Sequence, residues 1–294
     1  MKPVAFDYIR PESLDEVVEA LTGVEDAKIL AGGQSLVPML NMRLARPGSL
    51  VSLRGVPGLD TMHQEVDGIH VGAMVTQERF RHAVSGYPGF EALNVGMQHI
   101  GHPQTRSTGT VSGSIAHADP SAELPLLLQV YRGSLDVLGP SGTREIEARD
   151  FFLFPYTTIL EPEELLVSTR WPVPLPGIGS AFREFTRRRG DFALVAVACQ
   201  LRVAQDRRIE DGVLGAAGVA GTPVIVDVPS DLKGRVLSGE AIDYWLTTLE
   251  PLLDPPDDLE ASSALRRRLV RALVREAVME AGHRSRGVGD DSIR

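Results

Sequence analysis

Cysteine is almost missing from these 294 residues: Cys199 stands alone. One thiol cannot close an intrachain disulfide, and no CxxC pair exists to hold zinc or an iron–sulfur cluster. Long hydrophobic runs are missing too. No apolar stretch approaches the ~20 residues that a membrane-crossing helix requires, and the opening MKPVAFDYIRPESLDE has no apolar signal core. Together these absences predict a cytoplasmic protein with no membrane span. Positive charge is in deficit, 30 Lys and Arg against 39 Asp and Glu, for a formal net charge of −9. That balance argues against nonspecific binding to nucleic acid or anionic membranes. Neither common phosphate motif occurs: there is no GxxxxGK[ST], no GxGxxG after a strand, and GAAGVAG from Gly215 has the wrong spacing.

The composition that remains, 43% hydrophobic and 23% charged, is that of a globular chain long enough for two or three cores. Ser13 followed by Glu16 forms a capping-box pattern. Leu14, Val17, Val18 and Leu21 then make a helical apolar face that ends at Gly23. Lys28-Ile29-Leu30 and Leu50 to Leu53 read as strands, and this first segment ends near Pro57-Gly58. A second segment starts with the strand Ile69 to Ala73 and continues through helices from Thr76 and about Gly89. A hairpin follows around Gly139-Pro140-Ser141-Gly142, then a strand from Leu165 to Trp171. PVPLPGIG, from Pro172 to Gly179, is a boundary.

Beyond it lie the strand-like AFREFT and FALVAVACQLRV, a helix from Glu240 to Leu249, and a longer helix from about Asp258 to Ala281 that Gly282 caps. In the long helix Leu265, Leu269, Leu273 and Met279 form the apolar stripe, with Arg266, Arg267, Arg268 and Arg275 turned away. The chain thus divides into 1–57, 58–177 and 178–282, with a flexible tail over 283–294.

Two stretches carry chemistry. In AGGQSLVPML a strand runs into a glycine corner and then a helix whose first turn holds a proline, a geometry that gathers backbone N–H groups around an anion. In TGTVSGSIAHADPSAELP the hydroxyls of Thr110, Ser112 and Ser114 accompany Gly109 and Gly113. Asp119 before Pro120 reads as the N-cap of a helix that Pro125 bends or ends early. Such loops, far apart in the chain, suit a clamp on a diphosphate.

AGGQSLVPMLNMRLARP and TGTVSGSIAHADPSAELP resemble the two signature loops of the FAD-binding medium subunit of molybdenum hydroxylases, the carbon monoxide dehydrogenase/xanthine dehydrogenase family. FDYIRPESLDEVVEAL, IGHPQTRSTGT, RRRGDFALVAVA and DLEASSALRRRLVRALVREA extend the likeness over nearly the whole chain. The resemblance implies an α+β fold: two mixed subdomains sandwiching FAD, of the vanillyl-alcohol-oxidase/PCMH type, and a C-terminal antiparallel sheet with helices. It implies that Ala31, Gly32, Gly33, Gln34, Ser35 and Leu36 wrap the FAD diphosphate and neighbouring oxygens together with Thr110, Val111, Ser112, Gly113 and Ser114. His117 hydrogen-bonds within the loop or to the cofactor, Glu123 falls where relatives place a carboxylate that accepts hydrogen bonds from it, and Arg183 falls near a basic residue beside the flavin ring. It further implies an electron-transfer role. Electrons come from iron–sulfur clusters on a small subunit, fed by a molybdopterin large subunit in a heterotrimer or dimer of heterotrimers, and leave to an external acceptor. Three positions depart from the family pattern: Gln34 for His, Ser112 for Gly and Ser114 for Asn. Gln and Ser still donate hydrogen bonds. Ser112 restricts the backbone wherever positive φ is needed.

Other readings compete. His99, His102, His117, Asp119 and Glu123 suggest a hydrolase metal site, but they lack the HExxH spacing, and no metal is assigned. Arg187-Arg188-Arg189 is a solvated face or, alternatively, a docking patch or a charge acting on the flavin. Cys199, Trp171 and Trp245 are packing residues. The second functional reading is a non-catalytic nucleotide-binding or assembly subunit whose FAD affinity Ser112 has weakened.

Overall fold

The computed structural model describes residues 2–287. The N-terminal elements are β1 (Asp7–Ile9), α1 (Leu14–Gly23), β2 (Ala27–Leu30), α2 (Leu36–Asn41) and β3 (Ser49–Ser52). Then come β4 (Met62–Glu65), β5 (Gly68–Gly72), α3 (Gln77–Val84), α4 (Glu91–His99), α5 (Pro103–Thr108), α6 (Val111–His117) and α7 (Glu123–Val130). The middle of the chain forms β6 (Ser134–Gly139), β7 (Gly142–Glu147), α8 (Ala148–Phe151), β8 (Phe152–Phe154), β9 (Thr157–Thr158) and β10 (Leu165–Trp171). The C-terminal part comprises β11 (Ile178–Phe185), β12 (Val195–Val203), β13 (Ile209–Ala217), β14 (Val224–Asp227), α9 (Gly239–Leu249) and α10 (Ser263–Ser285). This is the α+β architecture that the resemblance implied. Among the described residues no helix is long and apolar enough to cross a membrane.

The chain folds as two compact units, each discontinuous in sequence. The first takes residues up to His82, His102–Ala118 and Gly133–Pro172. It contains a parallel three-stranded sheet in the order β1-β3-β2 and an antiparallel five-stranded sheet in the order β4-β5-β10-β6-β7. Ser13 caps α1 by accepting the Glu16 N–H at 3.2 Å, and Val17 and Leu21 of that helix join Val51, Leu53, Leu59, Ala73 and Leu165 in one core. Trp171 at the end of β10 is fully buried and its ring lies 5.1 Å from that of Phe80.

The second unit takes Ala83–Gly101, Asp119–Arg132 and the chain from Val173 onward. Its antiparallel sheet β11-β12-β13-β14 carries helices on both faces. Strand periodicity sorts β11 between them. Ser180, Phe182 and Glu184 face α4: the Ser180 hydroxyl accepts the Ala92 N–H at 3.0 Å, and His99 contacts both Phe182 and Glu184. Ala181 and Arg183 face α10, where Gly179 lets the helix backbone lie against the strand. Cys199, Trp245, Val270, Val274 and Ala277 fill the core on that side.

Three local expectations change. Asp119 does not cap a helix; its carboxylate accepts the Ser121 N–H at 2.8 Å in a turn, and α7 starts only at Glu123. Pro125 therefore lies in the first turn, where its missing N–H has no intrahelical partner to lose, and the helix runs on to Val130. Gly282 is inside α10, not beyond it. A side chain there would collide with Leu237, so close packing explains the glycine, and helix continues through 283–285. The remainder of the expected tail, 288–294, lies outside the described residues. Third, the buried seam of α10 runs through Arg266, Val270, Val274, Ala277 and Ala281, while Leu265, Leu269 and Met279 flank it.

Candidate functional site

The first loop leaves the parallel sheet at the end of β2. Gly33 takes φ +70, a left-handed turn that glycine adopts without strain, and its carbonyl accepts the Val37 N–H at 2.9 Å to begin α2. Ser35, at the N-cap of α2, makes no side-chain capping bond. Its hydroxyl is therefore not committed to the helix end.

The second loop is pinned from two sides. The Gln77 N–H donates to the Gly109 carbonyl at 2.8 Å, and the Val111 N–H donates to the Val75 carbonyl at 3.1 Å. These bonds tie the loop to the corner between β5 and α3. Upstream, buried Arg106 pairs with Glu78 at 2.9 Å. Hydrogen bonds first from Arg81 and then from Arg106 pull the Glu78 carboxyl down to about 2. At the start of α6, the Thr110 hydroxyl accepts the Gly113 N–H at 3.0 Å. Thr110→Ala is expected to cost about 1 kcal/mol of stability, the usual loss for an N-cap, read as a lower midpoint in denaturant unfolding.

The two loops meet. Gly32 lies against Thr108 and Gly109: a Cβ on Gly32 would clash with the Thr108 carbonyl oxygen and sit 2.8 Å from the Gly109 Cα. On the other side, a Cβ on Gly109 would lie 3.4 Å from the Gln34 Cγ, and one on Gly113 would lie 3.7 Å from the Ala31 Cβ. Gly32 thus lets the two backbones approach more closely than any larger residue allows, and Gly109 and Gly113 face the first loop at ordinary contact distance. Ser112 sits within α6 and is absent from the residues with positive φ. Its hydroxyl imposes no backbone strain. Ser112 is 2% exposed and its hydroxyl has no hydrogen-bond partner, and the buried Gln77 Oε1 is likewise unpartnered and borders Gly109. Unpaired buried polar atoms are costly in a native fold, and two beside a glycine junction fit a polar group that binds there.

Ala31 to Leu36 and Thr110 to Ser114 are therefore brought together within the first unit. His117, at the C-terminus of α6, stacks at a tilt on Tyr156, with ring centroids 5.2 Å apart. Glu123 and Arg183 belong to the second unit and occupy opposite faces of its sheet. Arg183 pairs with Glu280 and, at 3.4 Å, with Glu276 on α10. Glu123 is buried at the start of α7. Burial first, and then the charge of Glu184, push its carboxyl up to about 8. Arg187 is exposed and reaches Glu260 at 3.1 Å. Gln77 and Glu184 escaped the sequence reading, since neither lies in a glycine-rich or hydroxyl-rich run.

The histidines and acids weighed as a hydrolase site form no ligand set among the described residues. The one grouping of metal-ligand type there is Glu65, Asp67 and His70 at the exposed β4–β5 turn. Arg170 already engages Asp67 at 2.7 Å and His70 pairs with it at 3.1 Å, so cross-strand ion pairing accounts for the group.

Comparison with known proteins completes the picture. The family profile described as FAD binding domain in molybdopterin dehydrogenase matches residues 4–174. The CO dehydrogenase flavoprotein C-terminal domain matches 180–281. The nicotine 6-hydroxylase medium subunit of Paenarthrobacter nicotinovorans is 36% identical, spanning 97% of this chain and 100% of that one. The carbon monoxide dehydrogenase medium chain of Afipia carboxidovorans is 34% identical over the same shares. Among solved structures, quinoline 2-oxidoreductase from Pseudomonas putida 86 superposes with a TM-score of 0.89 at 33% identity, covering 97% of this chain and 100% of the matched one.

Proposed function

Because this chain belongs to the FAD-binding medium-subunit family of molybdopterin dehydrogenases, we propose that residues 31–36 and 110–114 form one cradle for the diphosphate of FAD. The chain is an oxidoreductase subunit and FAD is its cofactor. When bound, FAD supplies the redox centre that links single-electron delivery to an external acceptor. The protein binds and orients it. The observation that carries the reading is the glycine junction at Gly32 and Gly109 beside the orphaned Ser112 hydroxyl. Backbone N–H groups of both loops and the Ser112 and Ser35 hydroxyls are the donors an anionic diphosphate needs. His117 lies at the far end of α6 from Thr110 and extends the same loop. In this reading Glu123 keeps the role the resemblance implies, a carboxylate accepting hydrogen bonds from the cofactor, and Arg183 that of a basic residue acting through its charge. Residues 1–57 and 58–177 make up the FAD-binding part and 178–282 the flavoprotein C-terminal part.

The chain's single cysteine is buried, so cluster ligands must come from another polypeptide. The partners in this reading are an iron–sulfur small subunit and a molybdopterin large subunit, in a heterotrimer or a dimer of heterotrimers. Relatives named for nicotine, carbon monoxide and quinoline share this subunit design, which favours substrate selection by the large subunit. We place the assembly in the cytoplasm; its release with periplasmic markers on osmotic shock would count against that.

The test pairs two measurements. The purified chain is expected to show an oxidised-flavin absorption spectrum, or to acquire it on adding FAD. Ser112→Ala is expected to raise the stability of the cofactor-free chain by about 1 kcal/mol, because a buried unpaired hydroxyl is removed, while weakening FAD binding. A colourless chain that cannot be reconstituted favours the assembly-subunit reading. Ser112 adopts helical backbone and imposes no strain that would weaken FAD binding.

A further inference from the structure

Where α3 begins, the first unit buries an amide whose oxygen has no partner. Gln77 is the first residue of that helix and is 5% exposed, and its Oε1 accepts no hydrogen bond. Its backbone cannot withdraw. The Gln77 N–H is held by the Gly109 carbonyl, Thr76 pairs antiparallel with Thr110, and the Val111 N–H is held by the Val75 carbonyl. The donors that flank it in sequence serve other groups: the Arg79 N–H goes to the Thr76 hydroxyl at 3.3 Å, and Arg81 and Arg106 bind Glu78. One point fixes where the oxygen lies. A Cβ on Gly109 would sit 3.1 Å from Gln77 Oε1 and 3.4 Å from the Gln34 Cγ. The first loop, the second loop and the start of α3 therefore converge on this oxygen, and a buried acceptor left open in a native fold calls for a donor.

We infer that Gln77 is a further cofactor-binding residue, whose Oε1 accepts a hydrogen bond from a sugar-type hydroxyl of FAD next to the diphosphate. This rests on the FAD reading above and extends the cradle from two segments of chain to three. The choice of a hydroxyl follows from what each group can give. An amide oxygen only accepts, and so do the oxygens of an ionised diphosphate, so the two repel at contact. The orphaned Ser112 hydroxyl can donate to a phosphate; the orphaned Gln77 oxygen cannot. FAD carries donors on either side of its diphosphate, the hydroxyls of the ribityl chain and those of the adenosine ribose, and both offer what Oε1 lacks. An amide turned end for end would instead present Nε2 and take a phosphate oxygen, and that is the competing outcome of the test.

Two measurements on the full chain test this. In urea unfolding, cofactor-free Gln77→Met is expected to be at least as stable as the wild type, because methionine fills similar volume and removes an unpaired buried oxygen. Its FAD affinity, read by fluorescence titration, is expected to fall about tenfold, the worth of one neutral hydrogen bond. A residue that only held the fold would lose stability and affinity together. Gln77→Asn, which keeps an amide but draws it back by one methylene, is expected to bind FAD as weakly as Gln77→Met. Two FAD analogues then identify the group that is bound, one with an unsubstituted five-carbon chain in place of ribityl and one whose adenosine ribose lacks its hydroxyls. Against one of them Gln77→Met is expected to cost less than about twofold, since the hydroxyl it served is already gone, and against the other about tenfold. The analogue that cancels the effect names ribityl or ribose as the source. Wild-type affinity in Gln77→Met overturns the proposal, and so does a cost that persists with both analogues, as a phosphate contact would give. A fall in the stability of cofactor-free Gln77→Met also overturns it, because the amide would then already serve the fold. A wild-type chain that binds no FAD sinks the cofactor reading itself.

Discussion

Gly32→Ala is expected to yield a chain that purifies without flavin and binds added FAD at least about a hundredfold more weakly, a loss of ~3 kcal/mol. One added methyl has this effect because its neighbours are backbone. The new Cβ would strike the Thr108 carbonyl oxygen and lie 2.8 Å from the Gly109 Cα, and backbone cannot swing aside as a flexible side chain can. Either the first loop lifts off or the second is displaced, and overpacking of this kind costs roughly 1–3 kcal/mol before any ligand is considered. The bonds from Gln77 and Val111 hold the second loop to the β5–α3 corner, so the first loop is the one that yields, carrying Gln34 and Ser35 out of place. Gly23→Ala at the end of α1 is the control, since a Cβ there meets nothing within 4 Å. Fluorescence titration with FAD and thermal unfolding of both variants measure the contrast. If Gly32→Ala binds FAD like the wild type, the loops do not depend on close contact and the cradle is wrong.

The largest stability effect is expected at Arg266→Ala, about 3–5 kcal/mol, as for removing one partner from a buried charge network. Arg266 is 4% exposed within α10. One of its terminal nitrogens donates to the Leu194 carbonyl at 2.6 Å and the Gly218 carbonyl at 3.1 Å, and the other donates to Asp258 at 2.9 Å. Alanine leaves both carbonyls without this donor, removes a buried aliphatic stem, and deprives Asp258 of its cation. The Asp258 carboxyl, held low mainly by the Ala261 N–H and further by Arg266, keeps its backbone donors. Arg266→Lys is expected to recover only part of the loss, because one ammonium cannot span both carbonyls and the carboxylate as the planar fork does. Arg268→Ala, two residues along on the exposed side, is the control and should change stability by less than ~0.5 kcal/mol. Equilibrium unfolding in urea reads all three. A loss below about 1 kcal/mol for Arg266→Ala would show that solvent can replace the guanidinium.

Arg266 also shows where one-dimensional reading fails. Hydropathy places Arg266, Arg267, Arg268 and Arg275 together on the outer face, because charge predicts exposure whenever nothing else is known. What buries this one is a pair of carbonyls from Leu194 and Gly218, dozens of residues away in sequence, and periodicity carries no trace of them. Gly282 misled for a related reason. A glycine near the end of a helical pattern is most economically a cap, whereas here it makes room for Leu237. Pro125 would break an interior turn, but α7 starts only at Glu123 and places it in the harmless first turn.

The local signals that did carry through share a trait: their chemistry is complete within a few residues. Ser13 and Glu16 cap α1 by reaching neighbours three and four positions away. The glycine corner, the hairpin at Gly139 to Gly142 and the strand ending at Trp171 are likewise short-range patterns. The two loops stood out because small residues and hydroxyls are written directly into the chain, and with them came the family and the cofactor. Contact between Gly32 and Gly109, the orphaned hydroxyl of Ser112, and the burial of Arg266 and of the Glu184 carboxylate are different in kind. Each depends on which distant segment folding brings alongside, and desolvation and close approach are properties of that neighbour as much as of the residue itself. The two loops pointed to FAD through the family they resemble; the tertiary fold decided which polar groups beside them are left unpaired.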